Sequence, residues 1–311
     1  MTRVLLRKSI GGNIRVSGEL VKTLQEGLTA AGCPVGTVDG IFGGDTDRAV
    51  RSWQAQQGRS QDGVVLFGDW TAITGRPVPS SAVRALQVTA SFEGTGFGKI
   101  VGNFDGAWLT WGIIGFTLKH GELGRLLRTL ETRNLALLEQ AFGILLPRLL
   151  AVIHGTPQEQ EDFANQISFG ANRYKVDPPW AEAFARLGSF ADVQALQLQS
   201  VEKYFSIARR DVDRFGLVSE LGFGLCFDVA VQNGGINSDQ EERSIRRRLE
   251  QNPPAHERDI RAVIAEVVAE NSRPQYAADV LSRKMTWTTG MGTVHGSAYD
   301  LSDWGVGEFP A

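Results

Sequence analysis

Asp39-Gly40-Ile41-Phe42-Gly43 joins an acceptor-bearing aspartate to a glycine, the pairing that a tight turn with positive backbone angles requires. Upstream, Val21, Leu24 and Leu28 recur at helical spacing behind Ser17, a candidate N-cap, and Ala31-Gly32 ends that helix. Downstream, Asp45 or Thr46 is expected to cap a second helix. Its buried face carries Ala49, Val50 and Trp53, and Gly58 closes it. Asp62-Gly63 repeats the turn chemistry, and Trp70, Ile73 and Gly75 complete a small unit of three helices within residues 1–75.

Arg76-Pro77-Val78-Pro79-Ser80-Ser81 is expected to be a linker, because its two prolines stiffen an extended segment. Residues 82–311 would then form a second domain. Helical periodicity covers residues 83–92, 123–150, 157–168, 179–187, 190–215, 218–231, 239–250 and 256–270. Strand-like material is confined to residues 94–116 and 285–294. The expected fold class is therefore mainly α, a three-helix domain plus a helix-rich domain with a small β-sheet or hairpin. A doubly wound nucleotide fold is excluded, since Gly94-Thr95-Gly96-Phe97-Gly98 follows a helix where a dinucleotide fingerprint needs a strand.

Of the 311 residues 42% are hydrophobic and 22% charged, the balance of a globular protein, and the net charge of −3 supplies no basic field for nucleic acid. Cys33 and Cys226 fall in different expected domains and are read as free thiols. Residues 1–15 lack the apolar run of a secretory signal, and no stretch is expected to cross a membrane. His154 and His295 have no companion at ligand spacing, so neither a metal nor another cofactor is expected.

Leu24-Gln25, the 39–43 turn, Thr46, Ala49-Val50, Trp53-Gln54, Gly58, Asp62-Gly63 and Trp70 together resemble the three-helix peptidoglycan-binding domain. The resemblance implies attachment to the bacterial cell wall. Phe42 and Trp53 are expected in its core, with polar groups near the Asp39 to Asp45 turn as wall contacts.

In the second domain, Glu93 ends an amphipathic helix and Asp105 follows twelve residues later, opening the aromatic, glycine-rich segment 105–116. A strand turning back there would face two carboxyls across a groove. Glycosidic hydrolysis needs that pair, one carboxyl protonated to serve the leaving oxygen and one ionised to activate water or attack directly. Glu93, between Phe92 and Phe97, suits the acid, and Asp105, among turn amides, suits the base. The run from Glu93 through Asp105, Thr110 and Gly112-Ile113-Ile114-Gly115-Phe116 resembles the active-site segment of the family 46 chitosanases, within the lysozyme-like superfamily. The resemblance implies that Glu93 is the acid, Asp105 the base and Thr110 the holder of the attacking water. It extends faintly through Trp180, Gln197, Tyr204 and Leu217 to Gln232-Asn233-Gly234-Gly235, and implies that Asp228 braces the site through arginine, with Arg283 the best partner. Two departures point away from chitosan. The Glu93–Asp105 gap is short for that family, and acidic residues suited to a cationic polymer are not evident.

Trp108 is either a sugar-stacking ring or core, and Trp111 is assigned to core. Glu122 and Asn233 are further substrate-contact candidates, although Glu122 also suits an exposed helix start. The expected function is a monomeric, endolysin-like or effector muramidase. It would cut the β-1,4 bond of peptidoglycan with inversion, after delivery from the cytoplasm through a holin or a secretion machine. The alternatives are a wall-anchored chitosanase, a lytic transglycosylase and a non-catalytic wall-binding structural protein.

Overall fold

The N-terminal strand β1 (Val4–Leu6) begins the ordered path in the computed structural model, which describes residues 3–9, 14–94 and 96–311. Parts of the 1–15 start and Thr95 of the glycine-rich turn therefore lie outside the described residues. Next come α1 (Glu19–Ala30), α2 (Gly44–Gln56), β2 (Val65–Leu66), α3 (Phe67–Thr74) and α4 (Ser81–Phe92). A three-stranded antiparallel sheet follows, built from β3 (Ile100–Val101), β4 (Thr110–Trp111) and β5 (Phe116–Thr117) in that order. The chain continues through α5 (Glu122–Phe142), α6 (Leu146–His154), α7 (Pro157–Ile167), the pair β6 (Ser168–Phe169) and β7 (Lys175–Val176), then α8 (Pro178–Ser189) and α9 (Ala191–Phe215). It finishes with α10 (Glu220–Asn233), α11 (Asp239–Gln251), α12 (Glu257–Glu270), α13 (Ala277–Thr289) and the hairpin β8 (Met291–Val294) to β9 (Ser297–Asp300). The fold is mainly α, and among the described residues the strands form short antiparallel pairings.

Packing divides the chain into residues 1–92 with 203–311, and residues 93–202. That division differs from the boundary placed at residues 76–81. The proline segment is tied down, since Trp70 Nε1 donates to the Pro77 carbonyl at 3.0 Å and Arg84 donates to that of Pro79. Gln87 of α4 caps α1, its Oε1 accepting the Glu19 N–H at 2.9 Å. The true N-cap is Gly18, at φ 118°, in place of Ser17. Likewise α2 is entered from Gly43 and not from Asp45 or Thr46. Glu220 at the start of α10 then gathers Arg3 and Arg84, whose guanidiniums lie over the Phe67 ring at 4.6 and 5.0 Å. In the first unit, therefore, the three-helix module is continuous with the C-terminal helices.

Helix α10 is the core of that unit, buried on all sides from Glu220 to Ala230 and packed on α4, α12 and α13. Its Phe223 and Phe227 stack in parallel at 6.5 Å, and Phe205 lies 4.7 Å from Phe227. The hairpin expected at 285–294 is shifted: residues 285–289 finish α13, and Gly290, at φ 82°, turns the chain into β8.

In the second unit α5 packs on α8 around Trp111, Phe142, Phe163, Trp180 and Phe184. The helix expected over 123–150 is interrupted twice, by a kink inside α5 where Asn134 takes φ −159° and ψ 73°, and between α5 and α6 where Gly143 takes φ 49°. The expectation that no segment reaches transmembrane length needs correction. The helical run Glu122–His154 meets that length and composition, with 39% of its most apolar window buried inside the fold.

Candidate functional site

Two glutamines organise the N-terminal module by the same device. Gln25, on α1, donates to Asp39 Oδ1 at 2.8 Å and accepts the Gly40 N–H at 2.8 Å. Gln54, on α2, donates to Asp62 Oδ1 at 2.7 Å and accepts the Gly63 N–H at 3.0 Å. Both glutamines are buried, and each aspartate closes its own turn by accepting the N–H two residues on, Ile41 or Val64. Gly40 and Gly63 take φ 71° and 73°, the left-handed region that a side chain would strain. Burial pushes the Asp39 carboxyl up, but the Gln25 amide and the Ile41 N–H outweigh it and hold the group below its ordinary value. Phe42 and Trp53 lie in the core, 1% and 4% exposed. Solvent meets polar groups instead: Asp45 and Arg48 pair on the surface, and a groove of about 340 Å³ beside them is lined by Lys8, Arg15, Phe42 and Gly43.

Residues 17–65, the span holding both glutamine-clamped turns, match the family model described as "Putative peptidoglycan binding domain". The chain carries an N-terminal peptidoglycan-binding domain. This domain supports association with the cell wall. No curated protein matches the chain at a significant level.

The carboxyls expected to act on the glycan both belong to the second unit. Glu93 occupies the turn directly after α4 and is exposed. Phe92 and Phe97, the two rings near it in sequence, are both buried, 3% and 5% exposed. Asp105 is exposed in the turn between β3 and β4, where its Oδ1 accepts the Ala107 N–H at 3.0 Å. Thr110 lies in β4, paired with Val101 on one side and Thr117 on the other, and is half-buried.

Asn103 holds this loop and was not singled out from sequence. Its N–H donates to Ser168 Oγ at 3.0 Å, its Nδ2 to Asn165 Oδ1 at 2.9 Å, and its Oδ1 accepts the Trp108 N–H at 3.0 Å. Lys119 Nζ adds a bond to the Gly106 carbonyl at 3.0 Å. Gln197, fully buried, braces the segment's far end by donating to the Phe97 carbonyl and accepting from the Ile113 N–H, each at 2.9 Å. A buried amide bonded at both ends is the signal that marks Gln197, but its partners lie about 100 and 84 residues away.

Trp111 is fully buried, the core residue expected, and Trp108, 7% exposed, takes the core reading and offers no open face for a sugar ring. Trp108 also carries φ 69°, a left-handed backbone that the Asn103 bond helps to hold. Glu122 is half-buried at the first position of α5, and Asn233 is exposed at the last position of α10. Glu122 belongs to the second unit and Asn233 to the first.

Asp228 is completely buried within α10. Arg283 Nε lies 3.0 Å from both carboxylate oxygens and its Nη2 2.7 Å from Oδ1; Lys284 Nζ is 2.6 Å from Oδ2. Thr89 Oγ1 donates to the same carboxylate at 3.2 Å. Burial drives this carboxyl upward, but Arg283 and then Lys284 outweigh it and bring it down to about 2. A carboxylate this deep persists because two cations and a hydroxyl replace its water. His154 and His295 each find a carboxylate, Glu131 at 2.7 Å and Asp279 at 3.2 Å. Cys33 and Cys226 are buried free thiols, and burial pushes the Cys226 thiol well above its ordinary value.

Proposed function

We propose that this protein is a modular peptidoglycan hydrolase. Its N-terminal domain holds the wall, and Glu93, Asp105 and Thr110 cut the β-1,4 glycosidic bond of the glycan strands. The observation that carries the reading is the company of the two carboxyls. Both are solvent-accessible in one compact unit, and Asp105 is fixed by a backbone N–H on a loop that Asn103 and Lys119 tie down. A base for water must be rigidly placed, and a carboxylate accepting a turn N–H is held in one position.

Glu93 donates the proton to the leaving oxygen, Asp105 takes one from the attacking water, and Thr110 Oγ1 orients that water from the neighbouring strand. The outcome is single displacement with inversion. The cationic Lys8 and Arg15, which line the groove beside Phe42 and Gly43, suit the carboxylates of peptidoglycan peptides. Glu93→Gln should abolish release of reducing ends from purified sacculi while leaving sedimentation with them unchanged. Retained release would remove Glu93 from the reaction.

A further inference from the structure

The second unit exposes an aromatic pair that neither sequence reading nor the reaction uses. Phe104 and Tyr174 are 45% and 43% exposed, yet their rings meet, centroids 5.3 Å apart and planes tilted by 59°. Leaving two large rings together in water forfeits their burial, and exposed apolar patches of this kind mark binding sites. Phe104 immediately precedes Asp105.

The backbone beneath the rings is built to hold them. Gly102 donates to the Tyr174 carbonyl at 2.9 Å, joining the two loops, and Phe104 donates to the Gly102 carbonyl at 2.9 Å. A Cβ on Gly102 would stand 2.3 Å from the Arg173 carbonyl oxygen, so the approach requires glycine. Asn172 and Arg173, just before Tyr174, both take left-handed angles, φ 53° and 56°. Such residues persist where their surroundings over-determine them. Asn165 Oδ1 ties the loops together, accepting from Asn103 Nδ2 at 2.9 Å and from Arg173 Nη1 at 2.6 Å.

We propose that Phe104 and Tyr174 form a stacking subsite for a pyranose ring of an N-acetylated glycan strand, one residue from Asp105. The apolar faces of a sugar ring match exposed aromatic rings, and the exposed guanidinium of Arg173, next to Tyr174, is a donor for ring hydroxyls or acetamido oxygens. Charge chooses among glycans. Arg173 and Lys175 flank Tyr174 and are exposed, so a polymer of free amines is repelled, whereas a neutral or carboxylate-bearing strand is accepted. The subsite rests on the proposed glycan-cleaving reading, which it deepens by naming where the sugar lies.

The test is calorimetry on the full chain carrying Glu93→Gln, with the N-acetylglucosamine hexamer and the glucosamine hexamer as probes. Phe104→Ala and Tyr174→Ala should each weaken the N-acetylated hexamer about tenfold, and glucosamine hexamer should bind at least tenfold more weakly than the N-acetylated one. Both rings are exposed, so thermal unfolding should be unchanged. Binding of the N-acetylated hexamer that is absent, or equal in parent and both ring variants, would overturn the subsite, as would equal affinity for the two hexamers. Turnover of sacculi by the unsubstituted chain is read separately. If turnover is absent while the rings still control binding, the hydrolase reading fails and the subsite stands; normal turnover with ring-independent binding fails the subsite alone.

Discussion

Gln54 grips Asp62 at 2.7 Å and repeats, on the second helix of the wall-binding domain, the bond that Gln25 makes to Asp39 on the first. In each case one buried side-chain amide satisfies a turn carboxylate and a turn N–H together. Tight glycine turns are thereby fixed to helices in a domain too small for a large core.

Gln25→Leu should therefore do more than delete a polar group. It removes the partners of Asp39, Gly40 and Thr46, and the stranded buried N–H alone costs about 1–3 kcal/mol. Thermal unfolding should fall and sedimentation with sacculi should weaken, whereas Asp45→Ala, at an exposed pair, should leave stability nearly unchanged. Equal effects from the two changes would disprove the clamp.

Asp228→Ala leaves Arg283 and Lys284 buried without their carboxylate. The expected loss is about 3–5 kcal/mol in denaturant unfolding.

The same carboxylate sets an acid limit. Its folded value, about 2, lies below the ordinary carboxylate value of about 3.9, so its contribution is complete above that ordinary value. That contribution, of order 2 kcal/mol, is lost as pH falls from about 4 towards 2. Unfolding free energies of the parent chain and Asp228→Asn should differ at neutral pH and converge across this window; parallel curves would refute the assignment.

Glu220→Ala should release the N-terminal strand, since Glu220 anchors both Arg3 and Arg84. Limited proteolysis should then cut before residue 17 at protease levels that leave the parent chain intact. Unaltered resistance would mean that the β1–β2 pairing and the bonds of Arg3 to Gly305 and of Arg7 to Asp303 hold the strand without Glu220.

Much of the fold is legible because amphipathic helices and Asp-Gly turns are local signals. The apolar spacing over residues 157–168 and 239–250 marks helices α7 and α11 nearly to their ends. Long-range effects are what local reading misses. Ser17 is a reasonable cap by type, but Gln87, nearly seventy residues on, supplies the acceptor at α1. Helix α13 is hidden because Arg283 and Lys284 sit on its buried face, where periodicity looks for apolar residues, and three of its last four residues are β-branched threonines. The carboxyl-bearing segment is visible as residue types. Its support from Asn103, Asn165 and Gln197, and the exposure of Phe104 and Tyr174 in place of Trp108, arise only when α7, α9 and the loops around β3 and β7 come together.

Mass spectrometry of purified sacculi digested by the full chain tests the central claim most directly, because the new terminal sugar identifies both bond and mechanism. The hydrolase reading predicts free reducing-end muramic acid from the parent chain and none from Glu93→Gln, with both chains sedimenting equally with the wall. Anhydro ends, no new ends at any pH, or undiminished release by Glu93→Gln would contradict it.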